Sequence, residues 1–213
     1  MNNSISAPVR GALFDLDGVL IDTEPLYTEF WRQVGLKHQL PSPTFAYDIK
    51  GTTLKDILSR YFPDKAIQDD IVRMVHDFED NIVYPVFDGV VEFLDRLQAA
   101  GWKIAIVTSS DDQKMEYLFN QIPWMKSRFD TIINGTMVRK SKPDPEGYLK
   151  AAQLLGCKPE DCVVFEDSLQ GLEAGRRSGA KVVALATTNS RENLAGKSDL
   201  IIDNFKELNP EML

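Results

Sequence analysis

The chain has 213 residues and a formal net charge of −8, from 24 Lys and Arg against 32 Asp and Glu. That length, with 43% hydrophobic residues, fits one large domain or one domain carrying a small insertion, and no low-complexity tract or short repeat argues for disorder. The acidic balance speaks against nucleic acid and anionic membrane as partners, since both demand a basic surface, and no apolar run reaches membrane-spanning length.

Met1 to Arg10 is polar and lacks the apolar core of a signal peptide, which makes the cytoplasm the expected location. Val9 to Phe14 is a short apolar run of the kind that forms a buried strand. It breaks into Asp15-Leu16-Asp17-Gly18, where Gly18 permits a tight turn. Asp15 and Asp17, two positions apart, are placed for one to act as nucleophile or metal ligand while the other exchanges protons. Glu24 to Val34 has helical spacing, with Pro25 near its start, and Thr53 to Tyr61 and Ile67 to Tyr84 repeat that spacing. Residues 22–85 thus read as a helical insertion, with 1–21 and 86–213 forming the remainder.

From Pro85 helix and strand alternate. Gly89 to Ala100 is a helix, Lys103 to Thr108 a strand, Asp112 to Gln121 a helix, and Thr131 to Asn134 a short strand. A helix opened by Pro145 and Glu146 runs to Leu155, followed by a strand from Cys162 to Glu166 and a helix from Leu169 to Ser178 stopped by Gly179. Strands from Lys181 to Ala186 and Asp199 to Ile202 complete the series. This order predicts an α/β fold: a doubly wound, Rossmann-like parallel sheet with helices on both faces and a small helical cap inserted after the first strand.

In such a fold the strand C-termini meet at one edge. There the sequence delivers Asp15 and Asp17, then Thr108, Ser109 and Ser110, then Glu166 and Asp167, with Lys142 arriving from the Ser141-Lys142-Pro143-Asp144-Pro145 loop. Each group alone also reads as a helix entry or cap: Thr108-Ser109-Ser110 before one helix and Glu166-Asp167-Ser168 before another. Four acids around one point need a divalent cation, and oxygen ligands without histidine select Mg2+. Hydroxyls and N–H groups after Val107, with Lys142, suit phosphoryl oxygens. His38 and His76 are the two histidines, too few for a His-rich metal site, and neither is expected in catalysis. Cys157 and Cys162 have neither redox nor zinc spacing and are expected to be packed, reduced thiols.

These stretches resemble the haloacid dehalogenase-like superfamily. Asp15-Leu16-Asp17-Gly18-Val19 is similar to its first motif, Thr108-Ser109 to its second, Lys142-Pro143 to its third and Glu166-Asp167-Ser168 to its fourth. Glu166 to Gly171 and the helical insertion are most similar to the branch of beta-phosphoglucomutases and sugar-phosphate phosphatases. The resemblance implies that Asp15 is a nucleophile forming an aspartyl-phosphate and that Asp17 is the acid and base. It also implies that Mg2+ is held by Asp15, the backbone carbonyl of Asp17, and Asp167 with help from Glu166.

The insertion is expected to act as a lid, with Glu24, Tyr27, Phe45, Lys50, Gly51 and Thr52 as candidates to face substrate. Mutases of this branch resemble the chain at Lys50-Gly51 but carry an arginine where it has Leu54 and a histidine where it has Tyr27. Those departures favour hydrolysis of a small phosphorylated metabolite, a sugar or polyol phosphate, by a monomer or weak homo-oligomer. A phosphosugar mutase and a silent phosphate-binding protein are the alternatives.

Overall fold

β1 (Gly11–Phe14) lies at the middle of a six-stranded parallel sheet in the computed structural model, which describes residues 9–213. The other strands are β2 (Lys103–Val107), β3 (Thr131–Ile133), β4 (Cys162–Glu166), β5 (Lys181–Leu185) and β6 (Leu200–Ile202). Their order is β3-β2-β1-β4-β5-β6. The chain therefore fills one side of β1 and then crosses to the other. Phe14 is in register with both Ile106 and Phe165, so the ends of β1, β2 and β4 open together at the switch in strand order. A crevice at that point is where open α/β sheets place their ligands.

Between β1 and β2 the chain inserts α1 (Glu24–Lys37), α2 (Phe45–Asp48), α3 (Leu54–Tyr61) and α4 (Lys65–Asn81). Pro25 sits in the first turn of α1, where a missing N–H costs nothing. Thr53 caps α3 and Asp64 caps α4 through side-chain oxygens that accept backbone N–H groups. Trp31, Val34, Phe45, Ile57, Ile71 and Val75 form an apolar centre among these helices.

The rest of the chain covers the sheet on both faces with α5 (Val90–Ala99), α6 (Asp112–Gln121), α7 (Pro123–Arg128), α8 (Glu146–Leu155), α9 (Leu169–Ser178) and α10 (Arg191–Leu194). Alternate strand residues serve opposite faces. Phe14, Ile104, Ile106 and Phe165 pack with α5, α6 and α7, whereas Leu13, Ala105, Val107 and Val164 pack with α8, α9 and α10. The rings of Phe14 and Phe165 stack at 4.5 Å, fixing the two strands immediately before their acidic ends.

Several boundaries differ from the sequence expectations. Val9 is 45% exposed, and β1 begins at Gly11, where a side chain would press on the Cys162 sulfur. Helix α4 stops at Asn81 because Ile82 turns to extended backbone, so Tyr84 lies outside it. Leu26, at helical spacing with Phe30 on α1, is 41% exposed. Cys157 and Cys162 are free and buried, and burial pushes the Cys162 thiol up to about 12. Among the described residues no helix is long and apolar enough to cross a membrane. The expectation for the N-terminal segment falls, apart from Val9 and Arg10, outside the described residues.

Candidate active site

Strand β1 ends one residue before Asp15, whose backbone N–H continues the ladder to Phe165 O at 3.0 Å. Strand β4 ends on Glu166. Sheet pairing thus fixes the two carboxylates side by side, and Lys142 from the loop before α8 closes the group. Its ammonium donates to Asp15 Oδ1 at 2.6 Å, to Glu166 Oε1 at 2.5 Å and to the Val107 carbonyl at 3.3 Å. Asp15, Lys142, Glu166 and Asp167 are all buried.

Glu166 is the most constrained of the four. Its Oε1 also accepts from the Tyr148 hydroxyl at 2.7 Å, and its Oε2 accepts from Asp167 N, Ser168 N and Ser168 Oγ. Ser168 meanwhile caps α9 by accepting from Gly171 N at 3.0 Å. The same residues thus cap α9 and place Glu166 and Asp167 beside Lys142 and Asp15.

Asp15, Glu166 and Asp167 each offer an oxygen within 4.8 Å of the others. Burial pushes Asp15 up to about 7 against the pull of Lys142, with Glu166 adding to the rise. Burial, then Glu166 and Asp15, hold Asp167 well above the usual carboxylate range. Asp167 Oδ2 is buried with no hydrogen-bond partner. Three carboxylates facing one ammonium, with an orphaned oxygen among them, suit a hard divalent cation.

Asp17 departs from the expected four-acid cluster. Its side chain turns toward the insertion, where Oδ1 accepts from Thr23 Oγ1, and Oδ2 accepts from Lys114 Nζ at 2.6 Å and Ser110 Oγ at 3.3 Å. Three acids, not four, converge as carboxylates. Thr108 Oγ1 donates to Ser110 Oγ at 3.0 Å, and Ser109 Oγ donates across to the Gly51 carbonyl of the insertion at 2.7 Å.

A cavity of about 90 Å³ lies between the sheet edge and the insertion and includes Asp17, Glu24, Tyr27, Lys50, Gly51 and Lys114 in its lining. Glu24 and Lys50 form an ion pair inside it. Phe45 does not face this space; it is buried in the centre of the insertion against Trp31 and Phe62. Thr52 lines a separate cleft and donates to the Ile49 carbonyl.

Sequence reasoning missed Lys114 and Glu79. Lys114 is 4% exposed, reaches Asp17 and lies 4.2 Å from the centre of the Tyr27 ring. Glu79 accepts from the Tyr27 hydroxyl at 2.7 Å. The available signal was a charge on an apolar stripe. Lys114 stands four residues before Leu118 on α6, and Glu79 four after Val75 on α4, each on the face that packs inward.

Comparison with known proteins identifies the family and the fold. Residues 12–185 match the family described as haloacid dehalogenase-like hydrolase. A validoxylamine A 7'-phosphate phosphatase from Streptomyces hygroscopicus is 30% identical over 92% of this chain and 94% of that protein. A phosphorylated carbohydrates phosphatase from Thermotoga maritima is 31% identical over 80% of this chain and 82% of that one. The crystal structure of a beta-phosphoglucomutase from Clostridium difficile superposes with a TM-score of 0.79 at 22% identity, covering 96% of this chain and 95% of the other.

Proposed function

The chain belongs to the haloacid dehalogenase-like hydrolase family, and from that premise we propose that it is a Mg2+-dependent phosphatase of a small sugar or polyol phosphate. The observation that carries this reading is the buried contact of Lys142 with both Asp15 and Glu166, beside an Asp167 oxygen that lacks a partner. Two phosphatases among its relatives support the hydrolytic direction.

Asp15 is the nucleophile. One carboxylate oxygen attacks phosphorus while the bond from phosphorus to the substrate's alcohol oxygen breaks, leaving an aspartyl-phosphate. Asp17, steadied by Thr23, Ser110 and Lys114, gives a proton to the departing oxygen. Water then attacks phosphorus, Asp17 takes its proton, and inorganic phosphate leaves with Asp15 restored. Lys142 cancels part of the repulsion between Asp15 and the incoming anion, while Thr108 and Ser109 offer hydrogen bonds to phosphoryl oxygens. Asp15, Asp167 and the Asp17 carbonyl, with Glu166 holding the group in place, would bind the divalent cation. When bound, that cation supplies the remaining positive charge the reaction needs.

Hydrolysis suits the cavity better than mutase chemistry. A mutase must hold a second phosphate, and Leu54 offers no cation, packing instead against the insertion's apolar centre. About 90 Å³ suits a short leaving group such as a small polyol. The unit formed by 22–85 would close over it as a cap on the body formed by 1–21 and 86–213, excluding water until substrate is seated.

The test is a panel of sugar and polyol phosphates with Mg2+, following inorganic phosphate and phosphate isomers in one tube. Phosphate release without isomer formation is expected, and Asp15→Asn should lower kcat by at least ~10³-fold. Isomer formation faster than phosphate release would establish a mutase instead. No turnover of any monoester would establish a binding protein.

A further inference from the structure

We propose a second metal site, separate from the Asp15 cluster, in which His76 and Glu79 of α4 and Asp111 at the entry to α6 bind a divalent transition ion of the zinc class. The site joins the helical insertion to the sheet.

His76 and Glu79 are three residues apart on one helix, which puts both side chains on the same face one turn apart. Asp111 comes from the other side of the contact. A nitrogen of His76 and an oxygen each from Glu79 and Asp111 lie within 4.8 Å of one another. Asp111 is held in place because its Oδ1 accepts from Lys114 N at 3.0 Å, which leaves Oδ2 directed at His76 Nε2, 3.2 Å away.

The second observation is Glu79 itself, which is 4% exposed. Its Oε1 accepts from Tyr27, and its Oε2 is buried with no partner. The nearby Lys114 makes no hydrogen bond to that oxygen, its ammonium lying 2.6 Å from Asp17 Oδ2. A buried carboxylate oxygen left without a donor beside an imidazole and a second carboxylate is the arrangement a cation completes. One nitrogen and two oxygen donors favour zinc-class ions over Mg2+, whose hard oxygen preference directs it to the Asp15 cluster. The side chains of His76 and Asp111 are 30% and 27% exposed, so an ion enters from solvent and keeps water in its remaining positions.

An ion here ties α4 of the insertion to the start of α6. It acts as a clasp that holds the insertion down over the 90 Å³ cavity and slows exchange of whatever binds there.

The chain's two histidines, His38 and His76, make the test direct. Tag-free protein in excess Mg2+ is titrated with Co2+, recording visible absorption and the histidine ring resonances by NMR. One equivalent should bind, perturbing His76 and not His38. His76→Ala should weaken binding at least ~100-fold, the upper end of the cost of losing even an outer-shell partner of a metal. Glu79→Gln, which keeps an acceptor for Tyr27, should weaken it as well, whereas Asp15→Asn should leave it unchanged. Co2+ binding that survives His76→Ala, or that is lost in Asp15→Asn, would overturn the site. These binding arms involve no substrate, so their outcome is independent of the phosphatase reading. In the turnover arm, Zn2+ added over Mg2+ should slow the wild type and spare His76→Ala. Equal inhibition of both would overturn the clasp.

Discussion

Gly171 lies one turn into α9 directly beneath the most heavily bonded carboxylate of the site. A β-carbon there would overlap the Glu166 carboxyl group, which has no room to retreat because five donors hold it. Gly171→Ala should therefore cost about 2 kcal/mol of stability, in the range of an overpacked core. It should also lower kcat more than tenfold by moving Lys142 off Asp15. Thermal unfolding and steady-state kinetics read the two effects separately, and a variant with wild-type kcat would show that Glu166 need not be fixed for turnover. Lys114 makes a second single-residue case. Lys114→Met keeps the bulk of the side chain against Tyr27 but leaves Asp17 with only its hydroxyl partners, Thr23 and Ser110. The expected loss is ~100-fold in kcat/KM, at the low end of general acid–base contributions. Stability should fall by about 1–2 kcal/mol, less than for a fully buried pair because Asp17 is only partly covered. Unchanged kinetics would reduce Lys114 to a packing residue.

Two hydrogen bonds between elements hold the insertion against the sheet edge near the site. Ser109 Oγ donates to the Gly51 carbonyl at 2.7 Å, and Gln170 Nε2, from the first turn of α9, donates to the Asp48 carbonyl at 2.9 Å. Gln170 is half-buried at the surface, so removing its amide should leave both elements folded. One such bond is worth about 1 kcal/mol, so Gln170→Ala should raise KM roughly fivefold while leaving kcat within twofold, as expected if the bond favours the closed arrangement. A fall in kcat at unchanged KM would place Gln170 in the chemistry instead. The elements that carry these contacts were largely legible in advance. Strands β1, β2 and β4 each end where an apolar run meets Asp15, Thr108 or Glu166, so burial and chemistry mark the same boundary. Helices α2, α7 and α10, of 4, 6 and 4 residues, are too short for a 3.6-residue period to show. The Asp17 carboxylate lies outside the expected four-acid cluster for a different reason. Its direction is set by Lys114 and Thr23, and such pairings exist only after α1 and α6 have packed.

At the scale of the whole molecule, an anionic substrate meets a chain whose net charge is −8. The distribution of charge, however, is uneven. A cleft of about 430 Å³ between the insertion and the sheet edge opens on Lys142, and Arg60, Arg139, Lys140 and Arg177 also line it. Three acids, Asp48, Asp56 and Asp144, share that lining. With Lys142 already paired to Asp15 and Glu166, the other four cations against three acids still leave the cleft locally positive, and low-dielectric walls concentrate its field. Net charge and local field therefore predict opposite responses to salt. At physiological ionic strength the Debye length is about 8 Å, so added salt screens the distant acidic surface and the approach to the cleft alike. If the acidic surface dominates, kcat/KM for a phosphomonoester rises as NaCl is added. If the cleft steers substrate, it falls. The cleft should win, because its charges lie where the approaching anion comes within a Debye length of them. We expect kcat/KM to fall several-fold between low and high salt with kcat unchanged. Arg139→Gln, which removes one cleft charge outside the Asp15 cluster, should flatten that dependence. A salt response that rises, or that is the same in the variant, would mean that substrate reaches Lys142 by another route.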